Sequence, residues 1–263
     1  LMLAIAYSAS IGCVATLIGT PPNIIFAGVV QKFYEVEITF LQWFKIGFPL
    51  SVVLLVICWA YLTKVAFGLE GQSFPGGRKE IQNQLKNLGK TSREEKWILV
   101  IFTLTAFCWM TRSYLLTPLF PALDDTIIAM LAAFALFLVH TPRDSGGKLL
   151  HWKEAERLPW GILLLFGGGL AIAGAFEQSG LALWIGNQVG GWQAISLLLL
   201  VVLVVTMVNF LTEITSNLAT TAMLLPVLIP VAEKLGVNPY ILLVGATLAA
   251  SCAFMLPVAP PPN

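Results

Sequence analysis

The chain holds 263 residues, of which 57% are hydrophobic and 11% charged, with a formal net charge of +1. A soluble globular domain carries roughly 25% charged residues, so this composition excludes a water-exposed globular protein and marks an integral membrane chain. So small a net charge implies no nucleic-acid partner, and only the positions of the charges along the chain carry information.

Apolar stretches near or above the roughly 20 residues that cross about 30 Å of hydrocarbon recur along the chain. The first, Leu1 to Ile18, ends in Gly19-Thr20-Pro21-Pro22-Asn23 before Ile24 to Val30 resumes. Two prolines remove two backbone donors and disfavour helix just before them, which predicts a helix broken near mid-depth. Ile46 to Leu69 reads as a plain span. A polar connection, Glu70 to Lys96, follows, with Ser92 and Glu95 spaced as a capping box for the next helix.

Trp97 to Met110 and Asp125 to Val139 read as two further spans, joined by a loop with Pro118 and Pro121. Trp160 to Phe176 is another, and Gly167, Gly168 and Gly169 in its middle suit close helix packing more than ligand binding. Leu181 to Val189 reads as a segment along the interface, and Tyr240 to Leu256 as a helix leading into a Pro-rich break. Cys13, Cys58, Cys108 and Cys252 lie in apolar surroundings without CxxC or His spacing, so they read as packed thiols.

Between Leu197 to Val208 and Ala222 to Val231, both apolar, stand Thr212, Glu213, Thr215, Ser216, Asn217, Thr220 and Thr221. Non-helical polar chain at membrane depth survives only where it is buried in protein or lines a wet cavity. The arms on either side are slightly short for full spans, which predicts a re-entrant hairpin over 194–231 with its tip as the first candidate site. Ser216 and Asn217 suit ligand contact, Asn217 offering a neutral oxygen that a hard cation accepts. Thr220 and Thr221 divide evenly between contact and a bond to the carbonyl four residues back. Glu213, the one acid deep in apolar context, reads either as a proton or cation relay or as a partner to hairpin backbone.

Basic residues set the orientation. The 70–96 connection carries Arg78, Lys79, Lys86, Lys90, Arg93 and Lys96, and the 140–158 connection Arg143, Lys148, Lys153 and Arg157, whereas the alternate connections are poor. By the positive-inside rule the two rich loops are cytoplasmic. The hairpin then enters and leaves from outside, and the helices around Pro21 and Pro260 cross in opposite directions. Gly19-Thr20-Pro21-Pro22-Asn23 is echoed by Ala259-Pro260-Pro261-Pro262-Asn263. Interrupted segments at corresponding places in inverted halves point to a secondary transporter's binding site.

The stretch Thr212-Glu213-Ile214-Thr215-Ser216-Asn217-Leu218-Ala219-Thr220-Thr221, with Ala15 to Asn23, resembles the divalent anion:sodium symporter family of dicarboxylate, citrate and sulfate carriers. The resemblance covers the whole chain. It implies an all-α, multi-pass inner-membrane fold of two inverted repeats, each with a re-entrant hairpin and a broken helix. On that reading 1–69 ends the first repeat, 70–96 is a cytoplasmic linker, and 97–263 is a truncated second repeat with its broken helix starting at 240–263. A first hairpin and a last helix are expected outside this sequence. Members are typically homodimers working by an elevator movement, so the implied partners are a small di- or tricarboxylate, membrane lipid, a second copy and Na+.

Carried over to this chain, the resemblance implies substrate contact at Thr20, Pro21, Ser216, Asn217, Thr220 and Pro260. It implies sodium contact at Gly19, Thr212, Thr215, Asn217 and Ala259, mainly through carbonyls. Two positions depart from the pattern: Leu218 and Pro260 stand where the motifs carry Thr. Alternatives within the family are a sodium-independent exchanger or a sulfate symporter. An intramembrane enzyme is disfavoured, because His140 and His151 sit in a cytoplasmic connection and no acid pairs with them at depth.

Overall fold

The computed structural model describes residues 2–67, 77–140, 147–157, 160–181, 183–184, 188 and 196–255. Every extended regular element among them is helical, and the only β pairing there is an isolated antiparallel bridge between His140 and Lys148. Two compact units form, one from residues 1–60 with 159–263 and the other from residues 61–158. Among the described residues, three helices are long and apolar enough to cross a membrane: Phe40–Ala66, Arg93–Leu116 and Leu197–Ile214.

In the first unit, α1 (Met2–Val14) and α2 (Pro21–Tyr34) are the two parts of a broken helix. The break occurs where the prolines predict it, but helix resumes at Pro21 rather than Ile24. Pro21 and Pro22 occupy the first turn, whose N–H groups have no intrahelical acceptor, so the missing donors cost nothing there. Helix α3 (Phe40–Ala60) packs on α1 and meets the carbonyls left over at its C-terminal end. The buried Trp43 donates its indole N–H to the Val14 carbonyl at 3.0 Å, and Ser51 donates to Ile11 at 2.8 Å.

The polar interruption forms a helical hairpin. After α8 (Trp160–Gln178) come α9 (Leu197–Ile214) and α10 (Asn217–Lys234), 18 residues each, separated only by the extended residues Thr215 and Ser216. Helix α10 runs through Pro226 and Pro230 without ending and packs against α2, α8 and α11 (Pro239–Ala250). A Cβ on Gly169 would stand 2.5 Å from Cβ of Ala222, so this member of the glycine triplet does serve close packing. Helix α11 ends at Ala250, earlier than the expected Leu256, because Ser251 to Met255 turn out of helix.

The second unit follows the sequence closely. A π turn, Tyr61–Ala66, continues α3; α4 (Gly77–Leu88) lies in the basic connection; α5 (Arg93–Thr111) is extended by a second π turn, Arg112–Leu116. Ser92 and Glu95 form the expected capping box, with both reciprocal bonds present. Asp124 caps α6 (Asp125–Leu138), while the buried Arg112 pairs with Asp125 at 3.1 Å and donates to the Leu123 carbonyl, tying the α5 end to the α6 start. The short α7 (Trp152–Ala155) follows in the second basic connection.

Candidate functional site

The site is built from helix ends. Tyr34, closing α2, packs its ring against that of Tyr240 in a tilted pair with centroids 5.5 Å apart, and its phenol also feels the carboxylate of Glu233 near the end of α10. Helices α2 and α10 pack together with their C-terminal ends adjacent, so they run in the same direction. Pro21 precedes Tyr34 by about 20 Å of helix and Asn217 precedes Glu233 by about 24 Å. Their N-termini therefore both point toward the end of the unit away from Tyr34 and Tyr240. Helix α11 runs the opposite way, from Tyr240 beside Tyr34 to Ala250, whose carbonyl meets Thr212 next to the hairpin tip.

Both N-termini are left uncapped by side chains. Thr20 and Ser216 are the N-cap residues of α2 and α10, each with extended backbone and neither with a side-chain capping bond. Two hydroxyls and two helix dipoles thus stand available for an anion, although α2 offers few N–H groups, since Pro21 and Pro22 have none and the Asn23 N–H bonds the Thr20 carbonyl. Ser216 is exposed and Pro21 is exposed, whereas Thr20 and Asn217 are half-buried. Gly19 precedes Thr20 because a Cβ there would lie 2.1 Å from the Cys13 carbonyl oxygen. Asn23, fully buried, donates its amide N–H to Thr16 at 2.9 Å and closes the loop between α1 and α2.

Inside the hairpin tip the polar side chains hold one another. The Thr212 hydroxyl donates to Asn217 Oδ1 at 2.9 Å and approaches the Ala250 carbonyl at 3.3 Å. Thr215 and Thr220 share a short hydroxyl–hydroxyl bond, and Thr215 also bonds the Leu211 carbonyl. Thr221 donates to the Asn217 carbonyl four residues back. Thr220 is therefore buried beneath the tip, while Thr221 takes the back-bond that its position allows. Leu218 is buried as well, so the departure from Thr there is accommodated by apolar packing.

Of the expected site residues, the structure brings Thr212, Thr215, Ser216, Asn217 and Thr220 together at one tip, and sets Gly19, Thr20 and Pro21 at the break between α1 and α2. Ala259 and Pro260 lie outside the described residues. Glu213, 4% exposed, accepts from the backbone N–H of Met255 at 2.9 Å. It does serve backbone, and the segment so held includes the turn after α11.

One residue escaped the sequence reading. Asn209 donates its amide to the carbonyls of Cys252 at 2.9 Å and Ala249 at 3.4 Å. With Thr212 and Glu213 it forms one face of α9 at spacings of three and four. That face meets the carbonyls left at the end of α11, as Trp43 and Ser51 meet those at the end of α1. The i, i+3, i+4 polar spacing in an otherwise apolar arm is the signal that exposes it.

Two helix breaks within one packed unit, in a chain that has helices long and apolar enough for a bilayer, are features of an all-α membrane transporter. The chain matches the family described as "Sodium:sulfate symporter transmembrane region" over residues 1–263, and it belongs to that family of multi-pass membrane transporters. It is 43% identical to the sodium-dependent dicarboxylate transporter SdcS of Staphylococcus saprophyticus, across 100% of this chain and 51% of the relative. It is 42% identical to SdcS of Staphylococcus aureus strain USA300 over the same shares. The chain thus spans about half the length of the curated relatives it matches.

Proposed function

We propose that the protein to which this chain belongs couples inward sodium movement to uptake of a dicarboxylate such as succinate. The observation that carries this reading is a pair of uncapped N-termini, at Thr20 and Ser216, on helices that pack against each other, with the Ala250 carbonyl at the end of α11 reaching the hairpin tip at Thr212. Positive helix ends suit the anion, and carbonyls with the Asn217 amide oxygen suit a hard cation without fixed charge. The matched relatives' names, which pair sodium with dicarboxylate, support the same choice over a sodium-independent exchanger or a sulfate carrier.

On this reading Thr20, Pro21, Ser216 and Asn217 face the substrate, joined by Pro260, and Thr220 acts from beneath the tip by holding Thr215. Gly19, Thr212, Thr215, Asn217 and Ala259 serve sodium. The hairpin over 194–231 is re-entrant, the halves 1–69 and 97–263 belong to inverted repeats joined by 70–96, and the working unit is a homodimer. The repeats describe order along the chain, whereas the two compact units describe packing, so their boundaries differ. The test is uptake of labelled succinate by proteoliposomes of the full-length protein, with and without an inward sodium gradient. Sodium-stimulated uptake is expected; uptake indifferent to sodium supports the exchanger, and sulfate uptake without succinate uptake overturns the substrate.

A further inference from the structure

Helix α4 carries a narrow exposed apolar stripe on an otherwise polar helix that is not itself a span. Its residues Ile81, Leu85 and Leu88, at spacings of four and three, lie on one side and are 61%, 67% and 80% exposed. Asn83 falls on the opposite side of the turn. Around this stripe, residues 77–90 carry Arg78, Lys79, Lys86 and Lys90 against the single acid Glu80. Low overall hydrophobicity with a narrow apolar face and a basic remainder is the pattern of a helix lying in a membrane interface rather than crossing it.

Chain length fixes where such a helix can be. Four residues separate Leu88 from Arg93, the start of the span Arg93–Leu116, so the C-terminal end of α4 lies within about 17 Å of that span's basic end. Ten residues separate Gly77 from Ala66, the end of the span Phe40–Ala66, a reach of about 38 Å at most. Both tethers hold α4 against the same membrane face, the one to which the count of basic residues assigns the cytoplasm. Tethering makes insertion effectively intramolecular, so a three-residue stripe too small to anchor a free peptide suffices. Lys86 and Lys90 then lie within a Debye length of the lipid phosphates.

We propose that α4 lies on the cytoplasmic leaflet with Ile81, Leu85 and Leu88 among the acyl chains and its basic residues over anionic lipid headgroups. The occupant of the exposed stripe is thus an anionic membrane surface.

The test uses the full-length protein with its native cysteines replaced, carrying Leu85→Cys or Asn83→Cys labelled with an environment-sensitive fluorophore, in nanodiscs. In discs rich in phosphatidylglycerol the probe at 85 is expected to be quenched by bromine on the lipid acyl chains and shielded from aqueous iodide. The probe at 83 should behave in the opposite way. Replacing Lys86 and Lys90 by Gln, or using neutral phosphatidylcholine, should lower the inserted-to-free ratio roughly fivefold per charge interaction lost. Equal iodide quenching of both probes overturns the proposal. So does insertion indifferent to lipid charge. A probe at 85 shielded from both quenchers means that protein covers the stripe, from this polypeptide or a second copy, and also overturns it. None of these readouts depends on transport, so the proposed function stands or falls separately.

Discussion

Asn209 ties the hairpin arm to the backbone at the end of α11. Its amide serves two carbonyls there, and since the Ala249 carbonyl also accepts from the Cys252 N–H, truncation takes the donor from the Cys252 carbonyl, at a cost of about 1 to 3 kcal/mol. Asn209→Ala is expected to raise the half-saturating sodium concentration for uptake roughly fivefold or more, with a smaller change in substrate KM, because it loosens carbonyls and not the anion-facing caps. An equal change in both constants would make Asn209 a general fold residue. Ser216 and Thr220 should separate in the other direction. Ser216 is exposed and free of capping duty, so Ser216→Ala is expected to raise substrate KM while the thermal melt stays put. Thr220 is buried on Thr215, so Thr220→Val keeps the shape, removes the bond and should lower the melting temperature. At this scale the sequence exposed the tip, because polar residues inside an apolar run admit few explanations. It did not expose which hydroxyls face outward. Thr220 and Thr221 are adjacent and chemically alike, and only the packing of α10 sends one to Thr215 and the other to the Asn217 carbonyl.

Helix breaks were the most legible elements, since a Pro-Pro pair or a cluster of hydroxyl residues leaves a physical trace that survives any packing. Helix limits were less so. Helix α2 begins on its prolines because a first turn has no use for their missing N–H groups, and α10 continues through Pro226 and Pro230 although a proline within a helix usually marks a kink or an end. The close approach of α8 to α10 at Gly169 gives an element-scale prediction. A valine there places Cβ 2.5 Å from that of Ala222, with no rotamer that relieves it. Gly169→Val is expected to push α8 off the hairpin arm and to lower both uptake and thermal stability, while Gly168→Val, where a Cβ meets nothing within 4 Å, should be tolerated far better. Similar losses at the two positions would assign the glycines to helix flexibility instead of packing.

For the molecule as a whole, orientation in the membrane rests on charge placement and not on any packed contact. Six basic residues stand in the stretch Glu70 to Lys96 and four in His140 to Leu158, while Lys234, the last residue of α10, is the one basic residue at the α10–α11 turn. Basic loops near span ends stay on the cytoplasmic side. With the 70–96 loop inside, α5 runs outward, α6 returns, α8 runs outward, and the hairpin both enters and leaves from outside, which puts Lys234 on the external face. This holds whether the hairpin stops at mid-depth or crosses twice, so accessibility at the tip is needed to tell these apart. In a background without reactive native thiols, a cysteine at Asn83 should react with impermeant maleimide only from the cytoplasmic side, and one at Lys234 only from outside; both positions are exposed. Reaction of both from one face would refute the orientation. A cysteine at Ser216, by contrast, should be reached by small charged thiosulfonate reagents and protected by succinate with sodium if the tip lines a wet cavity at depth. Rapid labelling by bulky impermeant maleimide from the cytoplasmic side, unaffected by substrate, would mean that α9 and α10 are two full spans. Each arm has 18 residues, about 27 Å of helix against about 30 Å of hydrocarbon, so length leaves the matter open and the protection by substrate decides it.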